Sequence, residues 1–140
     1  MAIRQLSVFL ENKKGSLSEI TNLLAEAKVD LRSMCIAETS NYGIVRIIAN
    51  DPAKALEILI ASGFAAQIRP VTAFAVPDQP GGLAQVLEIL EENGINIEYM
   101  YALVTTIADK AYAVMRTDDE EKTEAVLAKN NIELLDENNV

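Results

Sequence analysis

Asn12-Lys13-Lys14-Gly15-Ser16-Leu17 and Asp78-Gln79-Pro80-Gly81-Gly82-Leu83 decide the fold, because they are one signal met twice, 66 residues apart (78 − 12). Each leads from an alternating apolar run, across a glycine turn, into a helical period. At the same offset Ile20 falls on Val86, Leu24 on Leu90, Val29-Asp30-Leu31 on Ile95-Asn96-Ile97, and Met34 on Met100. With two more residues in the second half, Ile44-Val45-Arg46-Ile47 meets Tyr112-Ala113-Val114-Met115. Asp51 then meets Asp119, and Ala55 to Leu59 meets Thr123 to Leu127. Identities are few, but apolar type, glycine and acidic positions recur in order. The chain reads as a tandem duplication joined near Arg69-Pro70, one domain over residues 1–69 and a second over 70–140, with no Gly/Ser-rich linker between them.

Each half reads as strand, helix, strand, strand, helix, strand. Leu6, Val8 and Leu10 alternate with Ser7, Phe9 and Glu11, the period of a strand. Ser16-Leu17-Ser18-Glu19 has the spacing of a capping box, with Ser16 as N-cap. Leu17, Ile20, Leu24 and Ala27 follow at helical spacing. Leu31 to Glu38 and Ile44 to Ala49 predict a strand pair, with Met34-Cys35-Ile36 in the core and Cys35 a buried, inert thiol. Asp51-Pro52 opens a helix, a capping carboxylate before proline, and Gly63 closes it. Ala65 to Arg69 predicts a short final strand. In the second half Val71 to Val76 is the first strand and Gly82 the N-cap. Gly94 ends the helix, Asn96 to Val104 and Lys110 to Arg116 form the central pair, and Ile132-Glu133-Leu134 closes the unit. Asp118-Asp119-Glu120-Glu121 suits a helix start, where the dipole favours acidic side chains, rather than a metal site. Lys13-Lys14 reads as a solvated turn and Asp136-Glu137-Asn138-Asn139 as a frayed tail.

Composition bounds the chemistry. The chain has 140 residues, with 12 Lys+Arg against 21 Asp+Glu, hence a net charge of −9. A chain of this length buries roughly 70% of its unfolded surface, enough for a core. There is no histidine, so no Ser-His-Asp triad, Cys-His pair or His-based metal site. That lowers the prospect of catalysis, and no catalytic or metal-ligating residue and no cofactor is expected. The acidity disfavours nucleic acid and anionic membrane as partners. No apolar run approaches the roughly 20 residues of a membrane span, and Met1-Ala2-Ile3-Arg4-Gln5 lacks the features of a signal peptide. One cysteine forms no internal disulfide. A cytoplasmic protein is expected.

The pattern of strand, Asn/Asp-x-x-Gly-x-Leu, amphipathic helix, Gly-x-Asn-Ile, strand is similar to ACT domains, small amino-acid-sensing regulatory modules. The residues that carry the resemblance are the two loops quoted above and Gly94-Ile95-Asn96-Ile97. The second half matches better, since the first has Asn12 for Asp, Lys14 for Pro and Lys28-Val29-Asp30-Leu31 for the Gly-x-Asn-Ile stretch. The resemblance implies an α+β fold: two ferredoxin-like βαββαβ units, each a four-stranded antiparallel sheet with two helices on one face. It also implies an amino-acid ligand near Asn12, Gly15, Ser16, Leu17, Asp78, Pro80, Gly81, Gly82, Leu83, Asn96, Ile97 and Tyr99, at the interface of the halves.

Physical chemistry supports such a loop independently. A helix N-terminus presents free N–H groups and partial positive charge, which suits a carboxylate. Glycine lets a ligand approach that backbone, and Asp78 or Asn12 stands ready for an ammonium. The competing reading, that these are only turn and cap residues, fits the residues alone at least as well. Four functions follow. The first is a stand-alone regulatory module, paired as a homodimer, that binds a free amino acid and acts on a separate partner. The second is a regulatory subunit of a biosynthetic enzyme such as acetohydroxyacid synthase, whose opening resembles Leu10-Glu11-Asn12 and Gly15-Ser16-Leu17. The third is an enzyme centred on carboxylate or lysine, which no pair of residues supports. The fourth is an interaction protein without ligand.

Overall fold

A computed structural model describes residues 2–104 and 110–140. The elements run β1 (Ile3–Glu11), α1 (Ser16–Glu26), β2 (Leu31–Glu38), β3 (Tyr42–Ala49), α2 (Pro52–Ala61), β4 (Ala65–Pro77), α3 (Gly82–Glu92), β5 (Ile97–Leu103), β6 (Lys110–Thr117), α4 (Glu120–Lys129) and β7 (Leu134–Leu135). They form two compact units, Arg4–Arg69 and Pro70–Val140, the latter with the first residues of the chain. Where two strands were expected around Arg69-Pro70 there is one, the 13-residue β4, so the division between units falls inside a strand. Proline fits there because it adopts extended φ and loses only a ladder donor.

The first unit orders its strands β2-β3-β1-β4. β1 and β3 pair antiparallel with Leu6 opposite Ile47 and Val8 opposite Val45. Those residues form one core with Ile20 and Leu24 of α1 and Ala55 and Leu59 of α2, so both helices cover the same face. The second unit repeats the plan as β5-β6-β4-β7. Phe74 and Val76 of β4, Met115 of β6, Val86 and Leu90 of α3 and Leu127 of α4 share its core. Here the opposite face is buried as well, at Val71, Ala73, Leu103, Tyr112, Val114 and Leu135. A strand buried on both sides loses polar alternation, which is why Val71 to Val76 reads as an almost unbroken apolar run.

Helix ends are where expectation and structure part. Ser16 is not the N-cap of α1; Gly15 is, with φ of 88°, and no side chain caps the helix. Ser16 is the first helical residue and is buried, so its hydroxyl stands one position too late for a capping box. Likewise Gly81, not Gly82, caps α3, with φ of 82°. The cap at Asp51 is as expected, accepting from Lys54 N–H at 3.1 Å; within the acidic start of α4 it is Asp119 that caps, accepting from Lys122 N–H at 3.0 Å. The four helices of the described residues close the same way. The N–H groups of Lys28, Gly63, Gly94 and Asn131, all with positive φ, donate to Ala25, Ile60, Glu91 and Ala128, and the next residue donates to Leu24, Leu59, Leu90 or Leu127.

Two further expectations change. Met34 and Ile36 are not core but 38% and 48% exposed, and Cys35 is only half-buried, because β2 is an edge strand. The closing strand of the second unit is the short β7, one to two residues later than the apolar pattern suggested. Lys13 forms an exposed ion pair with Glu11 at 3.3 Å. In the acidic start of α4, Glu120 accepts from Thr72 Oγ1 at 2.6 Å and Thr117 N–H at 2.8 Å, tying the helix to its sheet. Among the described residues no group of acidic or cysteine side chains has the arrangement of a metal site, and no helix is long and apolar enough to cross a membrane.

Candidate functional site

The two glycine loops have one backbone geometry. In the second unit Gln79 N–H donates to Pro77 O at 2.8 Å, Gly82 N–H to Gln79 O at 3.0 Å, and Gln85 N–H to Gly81 O at 3.1 Å. In the first unit Lys13 donates to Glu11 at 2.9 Å, Ser16 to Lys13 at 3.3 Å, and Glu19 to Gly15 at 3.0 Å. Between the bonded amides of the second loop lie those of Leu83 and Ala84, which helix geometry leaves without an intrahelical acceptor. Space around Gly15 and Gly81 is open: a Cβ on either meets nothing within 4 Å. Gly82 differs, since a Cβ there would lie 2.0 Å from the Pro77 carbonyl oxygen.

A cleft of about 530 Å³ opens beside the second loop. Pro77, Asp78, Gln79 and Pro80 form one wall, Leu83 of α3 another, and Met100 to Ala102 and Ala111 to Ala113 the floor with Val76. Strand alternation puts Ala111 and Ala113 on the helix side with Val76 and Phe74, and cross-strand pairing puts Ala102 there opposite Ala113. The cleft is therefore apolar, with polar groups concentrated in the loop. At the start of β6 the Lys110 ammonium pairs with the Glu133 carboxylate, whose hydrogen bond and charge raise the lysine above its ordinary pKa. Tyr112 alternates to the opposite face, where it is 3% exposed and its hydroxyl finds no hydrogen-bond partner among the described residues.

Of the residues singled out in the sequence, Asp78, Pro80 and Leu83 line this cleft, with Gly81 and Gly82 in the loop that bounds it. Every lining residue belongs to the second unit, whereas a pocket between the halves was expected. Tyr99 is not among the lining residues. It stacks on Tyr101, ring centroids 6.5 Å apart; Tyr101 borders the cleft, but alternation turns it to the face opposite Met100 and Ala102. Asn96 and Ile97 line a separate depression of about 370 Å³ with Gly94 and Leu87. Asn96 is held there by backbone: its N–H donates to Asp118 Oδ1 at 3.1 Å and its carbonyl accepts from Asp118 N–H at 3.1 Å. In the first unit Asn12 N–H donates to Asn41 O at 3.0 Å. Leu17 packs on the core, and Ser16 lines a polar cleft of about 290 Å³ with Glu19, Lys13 and the Ser62-Gly63 turn.

Sequence reasoning missed Gln79, Met100, Ala102 and the Ala111–Ala113 floor. The available signal was the pairing itself: once β5 and β6 are recognised as neighbours, the small residues Ala102 and Ala113 fall opposite one another.

The chain matches the ACT domain pair family over residues 1–140. Among solved structures it is similar to the protein BT0572 from Bacteroides thetaiotaomicron, with 41% identity, a TM-score of 0.90, and 96% of this chain and 92% of that one covered. It also shares its fold with the regulatory subunits of aspartate kinase from Thermus thermophilus, in ligand-free form (18% identity, TM-score 0.68, 91% and 90% covered), and Thermus flavus (18%, 0.63, 89% and 88%). No curated protein sequence matches. A full-length family match, on a chain whose two loops repeat hydrogen bond for hydrogen bond, identifies it: the chain belongs to the family of paired ACT domains.

Proposed function

We propose that this chain is a stand-alone regulatory module, with ACT domains over residues 1–69 and 70–140, that binds a free amino acid with an apolar side chain and acts on a separate partner protein. The cleft beside Gly81 is the observation that carries the reading. The amide end of α3 meets the ligand carboxylate, and Asp78 meets its ammonium. Leu83, Met100 and Ala102 surround its side chain, and their apolar surface leaves a charged side chain without a partner. The module acts by linkage rather than catalysis. Ligand favours one arrangement of the protein, and affinity for the partner follows. It works in the cytoplasm, as a homodimer, without nucleic acid or membrane. Copurification with a large catalytic subunit would instead favour a regulatory subunit of a biosynthetic enzyme.

A thermal-shift screen against the twenty amino acids tests this. Ligand at 100 times its Kd adds about 2.7 kcal/mol of stability. We expect the largest shifts from leucine, isoleucine, valine or methionine. Gly81→Phe places a ring where the cleft is open, and should abolish the shift while the fold survives. A protein whose melting temperature responds to no amino acid is an interaction module, and the sensor reading fails.

A further inference from the structure

The glycine loop and the amide end of the helix behind it occur in both units, so backbone alone offers a carboxylate two equivalent seats. Side chains make the units differ. Register fixes the correspondence: Ile36 stands opposite Val45 as Ala102 stands opposite Ala113, and Leu10 opposite Gly43 as Val76 opposite Ala111. Where the cleft of the second unit has the methyl of Ala102, the first unit has the branched side chain of Ile36. Leu10 is larger than Val76, and Val45 larger than Ala113. Gly43 is buried, and Ile36 Cγ2 and Leu10 Cδ2 converge on it: a methyl there, matching that of Ala111, would touch each at 3.7 Å. The space above Gly43 is therefore taken to contact distance by the chain itself. The polar cleft of the first unit touches Leu10 but neither Ile36 nor Gly43. The loop differs too, since Asn12 is neutral where Asp78 offers an ammonium a charge.

We propose that each chain binds a single amino acid, in its second unit, and that Ala102 keeps that cleft open while Ile36 and Leu10 close its counterpart in the first. The proposal rests on the sensor reading above and adds its stoichiometry and the residue that sets it. Ile36 is 48% exposed and stands outside the buried core of its unit, so it fills a surface cleft rather than holding the fold together. Ala102 is likewise exposed, so a larger side chain there grows over the cleft and not into the core. The two positions are therefore exchangeable in a way that core positions are not.

Isothermal titration calorimetry with leucine, isoleucine, valine and methionine counts the sites. We expect one per chain. Ala102→Ile gives the second unit the side chain of the first, and should raise Kd roughly tenfold or more, the cost of overfilling a fitted space. Its urea midpoint should stay near that of the unmodified chain, because residue 102 is exposed. Ile36→Ala combined with Asn12→Asp gives the first unit the small residue and the carboxylate of the second, and should bring the count to two. A chain that binds two amino acids unmodified overturns the proposal and leaves the sensor reading standing. So does an Ala102→Ile variant with unchanged Kd, or a folded Ile36→Ala, Asn12→Asp variant that still binds one. A chain that binds none of the four overturns both this proposal and the apolar-ligand reading beneath it.

Discussion

Adjacent glycines in the second loop should respond to alanine for different reasons and by different amounts. Gly81 has φ of 82° and open space around it, so Gly81→Ala meets only the cost of a left-handed L-residue, roughly 1–2 kcal/mol. Gly82 stands inside the helix, with no need of positive φ, but its new methyl would lie 2.0 Å from the Pro77 carbonyl oxygen. Ordinary contact begins near 3.4 Å, so something must move by about 1.4 Å (3.4 − 2.0), and the obstacle is backbone. Forcing an extra carbon into a packed site costs roughly 1–3 kcal/mol. Moving that carbonyl also strains its 2.8 Å bond from Gln79 N–H, worth roughly 0.5–1.5 kcal/mol. Gly82→Ala should therefore lose about 2–4 kcal/mol, and amino-acid binding with it, because Pro77 and Gln79 are cleft walls. Urea denaturation at unchanged m-value measures both variants. The first unit supplies a control, since Gly15 shares the geometry and space of Gly81 and should show the same modest loss. If Gly82→Ala costs no more than Gly81→Ala, the close approach is not a constraint and the reasoning fails.

Three other outcomes are expected. Lys28 ends α1 with φ of 59° where its counterpart in α3 is Gly94, so Lys28→Gly should stabilise the protein by about 1 kcal/mol, read as a higher urea midpoint; a loss would show that the lysine side chain is engaged. With no histidine, stability by chemical denaturation should vary little between pH 6 and 8. The Lys110–Glu133 pair raises the lysine pKa, so its contribution is complete below the ordinary lysine value and declines only as pH rises through the raised one; a Lys110→Met variant should lack that alkaline component.

Much of this architecture was legible in residue order. The duplicated Gly-x-Leu loops, the period of Ile20 and Leu24, and the Asp51-Pro52 start each encode a local preference that packing then respects. The Ser16 cap was misread because serine and glycine both favour helix starts, and only φ at Gly15 distinguishes which one leaves the helix. Exposure of Met34 and Ile36 was hidden for another reason: an edge strand and a central strand share the same alternation, and position in the sheet is not a local property. The cleft floor was hidden likewise, since Ala102 and Ala113 become a surface only through cross-strand pairing.

Asn50 N–H donates to Asp30 O at 3.0 Å, while Asn50 Oδ1 accepts from Asp30 N–H at 2.9 Å; Asp118 does both jobs for Asn96. One copy thus closes its clasp with an amide oxygen and the other with a carboxylate. Exchanging that amide for a carboxylate at position 50 would give the very side chain its sister uses. The repeat already holds that side chain at this clasp and keeps its shape, so Asn50→Asp should change the protein's charge without loosening its fold.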